Sequence, residues 1–268
     1  FGLDPSEESL LRAENAAARA LALDPELGLA QLSMGLVRYK RGDMQGLVRY
    51  ARRAAALDGN SDALCVLGFA LAEVGRITEA RRYAEEALAR DPFTWLMSLG
   101  RAVVDLFDGR LEEALDRLRD SVKRLAPEEP FPGWWLGQAS AYAGCEEEAQ
   151  AVFERIGEMD AGLWSDFGAL GRHALQGDRR GVGEVLKRTK LRQVARSDEY
   201  FPLFLANCLT RVGEMDEALE WLEQAVSWGF TNHVFLSLHD RFLAPLRGDP
   251  RFEALMERAR DKERAFET

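Results

Sequence analysis

Three histidines, His173, His233 and His239, and three cysteines, Cys65, Cys145 and Cys208, are the side chains best suited to ligate a metal or attack an electrophile. Their spacing supports neither role. No two histidines lie four residues apart, as a zinc-binding helix face requires, and no Cys-x-x-Cys pair is present. Cysteines this far apart, and odd in number, do not build a disulfide framework. They read as small apolar residues inside helices, and a reducing cytoplasm suits them. Gly181-Val182-Gly183 neither follows a strand nor leads into Gly-Lys-Ser/Thr, so it is not a phosphate loop. There is no Gly-x-Ser-x-Gly elbow and no Ser-His-Asp spacing. The run Glu146-Glu147-Glu148 offers carboxylates for acid–base work, but it better fits the first turn of a helix, where negative charge meets the positive end of the macrodipole. These residues predict no enzyme, no metal and no cofactor.

The elements that carry them follow from a repeat. Gly42, Gly75, Gly109, Gly144, Gly177 and Gly213 recur at steps of 33, 34, 35, 33 and 36 residues. Five are followed by a charged residue; the exception is Gly144-Cys145. Glycine closes a helix in the left-handed conformation, so each one predicts a helix end and a tight turn. Five residues later stand Leu47, Ala80, Ala114, Ala149, Val182 and Ala218; seven residues earlier stand Gly35, Gly68, Ala102, Gly137, Leu170 and Ala206. Small residues on both sides let two antiparallel helices approach closely. Breakers such as Leu21-Ala22-Leu23-Asp24-Pro25, Ala55-Ala56-Leu57-Asp58-Gly59, Leu88-Ala89-Arg90-Asp91-Pro92 and Arg124-Leu125-Ala126-Pro127 separate one hairpin from the next. Between them lie Ala, Leu, Glu and Arg, with apolar positions at three and four, as in Leu64, Leu67, Leu71 and Val74. Helices of about 12 to 16 residues in antiparallel pairs are predicted throughout. The unit around Gly177 obeys the small-residue rule poorly.

Composition agrees. The chain has 268 residues, 47% apolar and 30% charged, which excludes disorder, and no apolar run approaches the ~20 residues of a membrane span. The formal charge of −10 disfavours nucleic-acid backbones as partners. The start, Phe1-Gly2-Leu3-Asp4-Pro5, does not read as a signal peptide. The absence of an initiator Met there predicts a fragment of a longer protein.

The repeat at 61–94 resembles the tetratricopeptide repeat (TPR): Leu64, Leu67, Gly68, Leu71, Ala80, Ala84, Ala87 and Pro92 occupy its eight signature places, with leucine where tryptophan and tyrosine are common. The resemblance extends over about residues 8–230. It implies an all-α fold, a right-handed superhelical solenoid of helix–turn–helix repeats with a C-terminal capping helix. The expected organisation is an N-terminal helix and partial repeat at 1–25, six TPR-like repeats at 26–232 and a capping segment at 233–268. The cap's helix would run from 250 or 251 to about 266, with Asp249 as N-cap. Tyr200-Phe201-Pro202, the stretch from Gly213 to Glu223 and the stretch from Pro245 to Phe252 look like the end of the TPR arrays of bacterial signalling proteins. Those arrays accompany serine/threonine kinases, class III adenylate cyclases and winged-helix regulators. The resemblance implies a docking or regulatory module, carries over no catalytic residue, and makes a protein or peptide the expected partner.

In this architecture the first helix of each hairpin lines the concave face. The residues expected there for ligand or peptide binding are Tyr39, Lys40, Phe69, Glu73, Phe107, Trp134, Gln138, Tyr142, Trp164, Phe167, Tyr200, Asn207 and Arg211. Aromatic residues concentrate at binding hot spots, which makes this set a groove for an extended or helical peptide. The alternative is a tightly wound superhelix whose inner side chains touch each other. A carboxylate clamp of the chaperone-binding kind is disfavoured, because Lys40 stands at the opposite end from Asn207 and Arg211. An uncapped helix over Glu7–Leu23 would also expose apolar surface, which makes self-association as a homodimer a second expectation. A small-molecule pocket around Trp134, Trp135, Tyr142 and Trp164 is a third.

Overall fold

The computed structural model describes residues 6–58, 60–198 and 200–266. The N-terminal pentapeptide and the Gly59 breaker discussed above lie outside them, as do 267–268 at the end of the capping segment. Every regular element among the described residues is helical. The α-helices are α1 (Glu7–Leu23), α2 (Gly28–Tyr39), α3 (Met44–Asp58), α4 (Ser61–Glu73), α5 (Ile77–Arg90), α6 (Trp95–Phe107), α7 (Leu111–Asp120), α8 (Pro130–Tyr142), α9 (Glu146–Glu158), α10 (Leu163–Leu175), α11 (Arg179–Arg188), α12 (Leu191–Ala195), α13 (Tyr200–Arg211), α14 (Met215–Trp228) and α15 (Pro250–Ala265). A wide π-type turn at Ser121–Leu125 prolongs α7; another at Phe235–His239 and a 3-10 turn at Arg241–Leu246 precede α15.

Six hairpins, α2–α3, α4–α5, α6–α7, α8–α9, α10–α11 and α13–α14, turn at the six periodic glycines, all with φ between 68° and 81°. The turns share one bonding scheme. The glycine N–H reaches back three residues and the next N–H reaches back five, as in Gly75 to the Ala72 carbonyl (3.2 Å) and Arg76 to the Leu71 carbonyl (2.7 Å). This satisfies carbonyls that the helix end leaves unpaired. Helix crossing is close where the small residues meet: a methyl group on Gly68 would lie 3.1 Å from the Ala84 Cβ. The weak register near Gly177 has a structural counterpart, because α11 has only 10 residues and the five-residue α12 is inserted before α13. The expected helix length fails there, since a short basic stretch with two glycines cannot sustain four turns.

Capping follows local chemistry. The Asp249 carboxylate accepts from the Arg251 N–H (2.8 Å) with Pro250 opening α15. Glu146, Glu147 and Glu148 form the first turn of α9, where Glu148 also pairs with Arg119 at 2.8 Å. Cys65 and Cys208 are buried, and burial pushes both thiols well above their ordinary range; Cys145, by contrast, is half-exposed in the turn before α9. Cys65 does not face the hollow. Its Sγ lies against the Leu96 carbonyl (3.4 Å), wedged between α4 and α6, because Gly100 leaves room there.

Two contacts give the array its shape. Lys40 at the end of α2 reaches Asp198, just ahead of α13, at 3.0 Å, and the Tyr39 hydroxyl donates to the same carboxylate at 3.3 Å. The first and sixth hairpins therefore meet and the superhelix closes on itself. The chain after α14 then crosses the hollow. The N–H groups of Thr231 and Asn232 donate to the Glu73 carbonyl (2.9 and 2.8 Å), and the Asn232 amide donates to the Ala72 carbonyl (2.9 Å). Phe230 and Phe235 pack edge-on against Phe107, with centroids 5.2 and 4.9 Å away. Finally α15 lies on α14, through Arg258–Glu223 (3.0 Å), and its end returns to the second unit, where Arg76 donates to the Phe266 carbonyl (2.7 Å).

Candidate functional site

Filling one end of the ring leaves an opening at the other. Residues 66, 69, 70 and 73 form one stripe of α4, so Val66, Phe69 and Glu73 face inward together. Leu36, Tyr39 and Lys40 come from the end of α2. Phe131, Trp134 and Trp135 start α8, Trp164 starts α10, and Asp198, Tyr200 and Phe201 bring in the start of α13. Together they line a half-open cavity of about 100 Å³. An engineered apolar cavity of about 150 Å³ holds a benzene molecule. This one therefore has room for a single side chain and none for a length of helix or extended peptide.

The walls are rings in contact. Trp135 stacks on Tyr200 (4.5 Å), Phe131 meets Trp164 (5.2 Å), and Trp134 meets Trp164 (5.7 Å) and Phe204 (5.1 Å). Trp134 is fully buried, whereas Phe69, Phe131 and Trp164 keep exposed ring surface at the rim. The indole N–H groups of Trp134 and Trp135 find no hydrogen-bond acceptor among the described residues. At the base, the Tyr200 hydroxyl donates to Gln138 (2.7 Å). Burial above all, and then the negative charges of Asp240 and Glu73, hold that phenol well above its ordinary range.

The thirteen residues expected on the concave face thus divide. Tyr39, Lys40, Phe69, Glu73, Trp134, Trp164 and Tyr200 converge on this cavity. Gln138, Tyr142, Asn207 and Arg211 surround a second, smaller one of about 30 Å³. There Asn207 donates to the Tyr142 oxygen (2.7 Å) and to Asp240 (3.0 Å), and Tyr142 donates to Asp240 (3.2 Å). Arg211 is tied to the Ala174 and Leu175 carbonyls, both at 3.3 Å. Phe107 and Phe167 line neither cavity. The first meets the crossing segment, and the second lies against Phe201 (4.7 Å) and Trp134 (5.4 Å). Sequence reasoning did not place Val66, Asp198, Phe201 or Asp240, and it named Trp135 only as part of a possible small-molecule pocket. Asp198 had one legible signal, an acid just before a helix-opening aromatic, and its carboxylate does accept from the Tyr200 and Phe201 N–H groups, both at 3.0 Å.

Among the described residues no group of three His, Cys, Asp or Glu side chains is arranged to hold a metal ion, and no helix is long and apolar enough to cross a membrane.

Residues 61–94, which comprise α4, α5 and the turn that follows, match the tetratricopeptide repeat family. No curated protein matches the chain. Among solved structures, the chain is similar to a chain of the APC/C hetero-tetramer Cut9–Hcn1, at 16% identity over 96% of this chain and 56% of that one, with a TM-score of 0.57. It is also similar to PilW, a widely conserved type IV pilus biogenesis factor, at 19% identity over 68% of this chain and 86% of that one, with a TM-score of 0.54. A thermophilic TPR protein from Thermus thermophilus aligns at 17% identity over 87% and 98%, with a TM-score of 0.48. The chain has an all-α, right-handed TPR superhelical fold.

Proposed function

We propose that this chain holds a partner polypeptide by one anchor side chain at the open mouth of its ring, and that it acts as a cytoplasmic docking or regulatory module of a larger bacterial signalling protein, without catalysis of its own. TPR folds are generally protein-interaction scaffolds, which sets the class of function. The observation that carries the reading is the half-open, largely aromatic cavity between the first and last hairpins, beside the half-buried rings of Phe69, Phe131 and Trp164. Rigid rings around a pocket give large contact area at small entropic cost, the usual anatomy of a hot spot.

Selection of a random peptide library on the immobilised protein tests this. Enriched peptides should share one bulky anchor position, quench the mouth tryptophans and lose binding to Phe69→Ala. Phe69 is suited to the test because it is half-buried, whereas removal of fully buried Trp134 would damage the fold. Absence of enrichment, or peptides indifferent to Phe69→Ala and Trp164→Ala alike, would reject the mouth as the binding surface.

Self-association is a second reading. Leu23 is 89% and Leu29 60% exposed at the N-terminal end of the array, beside exposed Leu11 and Leu27. Such an apolar end invites a second copy. Light scattering over a concentration range decides it; a monomer at all concentrations removes the homodimer.

A further inference from the structure

We propose that the solvent-facing groove between α7 and α9 is a second docking surface, and that it takes an acidic, amphipathic segment of a partner polypeptide. The groove shares no lining residue with the mouth cavity, so it stands apart from that reading. α7 ends at Asp120, and the wide turn at Ser121–Leu125 carries its wall on past Lys123. Opposite stand Glu148, Ala151, Val152 and Arg155, whose spacing puts them on one face of α9. Between the two walls lies an open groove of about 610 Å³. Its floor is apolar, with Val122 and Leu136 buried and Val152 half-buried. Its rim carries the exposed cations Arg119, Lys123 and Arg155.

The charge on this rim is what identifies the occupant. Three cations face one carboxylate, Glu148, an excess of two positive charges on a chain whose net charge is −10. Glu148 is already committed: Arg119 donates to it twice, at 2.9 and 2.8 Å, and the Ser140 hydroxyl donates at 2.9 Å. The nearest acids of α7 are held as well, Asp116 by Arg119 (3.6 Å) and Asp120 by Arg124 (3.2 Å). Lys123 and Arg155 have no ion-pair partner among the described residues. The groove between α14 and α15 is built differently. There both lining cations are paired across the gap, Arg251 with Asp216 (2.9 Å) and Arg258 with Glu223 (3.0 Å). The α7–α9 groove thus offers two unpaired cations beside an apolar floor, the complement of carboxylates flanking apolar side chains. A basic segment would meet like charge. A nucleic acid would be repelled by the chain as a whole, and its phosphates would gain nothing from Val122, Leu136 and Val152. From Glu148 to Arg155 the wall runs two helical turns, ~10 Å, which matches a short amphipathic helix laid along it.

The test is a selection of a random peptide library on the whole chain carrying Phe69→Ala, which leaves mouth binders behind. Enriched peptides, measured afterwards on the wild-type chain, should combine aspartate or glutamate with apolar residues at helical spacing. They should shift the methyl resonances of Val122, Leu136 and Val152 in NMR spectra and leave the Trp164 indole unmoved. Lys123→Gln combined with Arg155→Gln should weaken them about two- to thirtyfold, the range for two exposed ion pairs, and the loss should shrink as salt rises. Both side chains are exposed, so the double variant keeps the fold. Lys123→Arg combined with Arg155→Lys keeps the charge and should bind as the wild type does. Absence of enrichment, enriched peptides without acidic residues, or acidic peptides indifferent to the double glutamine variant would overturn the groove and leave the mouth standing. Polyglutamate competing as well as the selected peptides would reduce the effect to plain charge attraction and overturn it too.

Discussion

The carboxyl of Asp240 offers a quantitative test of how the crossing segment is held. It is fully buried at the centre of the molecule, and burial raises its pKa from 3.8 to about 6, against the opposing pull of hydrogen bonds from Asn207, the Phe242 N–H, Tyr142 and the Leu243 N–H. The native state therefore binds the proton more tightly than the unfolded chain. The group's contribution to stability is full below pH 3.8, declines as pH rises, and is lost above about pH 6. A shift of about two units corresponds to roughly 3 kcal/mol. Asp240→Asn removes the titration and keeps the shape. The new amide oxygen can still accept from Phe242, and the new NH2 would face Asn207, whose own side-chain oxygen lacks a partner, so that a flip of the Asn207 amide restores a bond. Urea unfolding followed by tryptophan fluorescence at pH 4, 5, 6 and 7 gives the difference between wild type and variant. Carboxylates held below their ordinary range, such as Glu148 and Asp249, are common to both proteins and cancel. Part of the change already lies below pH 4, so the difference should move by roughly 2 kcal/mol toward the variant between pH 4 and pH 7. A difference constant to within about 0.5 kcal/mol across that range, or one moving the other way, would refute the account of Asp240 as a carboxyl kept at a cost in charge.

Glycine substitutions separate packing from backbone entropy. A methyl group on Gly168 would sit 2.5 Å from the Gly157 nitrogen and 2.8 Å from the Phe153 carbonyl oxygen, so Gly168→Ala must force α9 and α10 apart and should cost about 1–3 kcal/mol or more in thermal or urea unfolding. Gly183→Ala meets nothing within 4 Å inside α11 and should stabilise by about 0.5–1 kcal/mol. Phe235→Ala removes a fully buried ring from the contact with Phe107 and should cost about 3–5 kcal/mol, with loss of hydrogen-exchange protection first at residues 229–246. Retained protection there would show that the segment does not depend on that ring.

The hairpins were legible because their determinants are local. A glycine that must take φ near 75°, a small residue where two helices cross and a proline beyond a helix end act within one repeat, and the sequence displays all three. The third and fifth units were less legible for the same reason. Their second helices end in a π-type turn at Ser121–Leu125 and in the short α12, where local propensity is weak and packing against neighbours decides. Ring closure was not legible. Lys40 and Asp198 are 158 residues apart, and their meeting depends on the summed rotation of every hairpin between them. Assigning residues to the inner side by repeat position was therefore a statement about direction. It could not tell a side chain at the mouth, such as Phe69, from one beneath the crossing segment, such as Phe107.

That segment changes what an inner position means. In an open solenoid the carbonyls at the ends of the first helices look into water. Here the Ala72 and Glu73 carbonyls are taken by Asn232 and Thr231, and residues at the periodic turns touch the same C-terminal region: Gly42 lies near Trp228, Gly75 near Glu263, Gly109 near His239 and Gly144 near Arg241. The C-terminal region thus occupies the floor of the hollow with its own backbone and rings. It supplies hydrogen bonds that an extended peptide would otherwise have to make. Among the described residues, the cavity at the starts of α8, α10 and α13 and the end of α2 stays half-open to a partner that reaches inward, with room for one side chain. Under the proposed function, specificity then turns on the size and shape of that single anchor, while affinity must come from rim contacts around Phe69, Phe131 and Trp164.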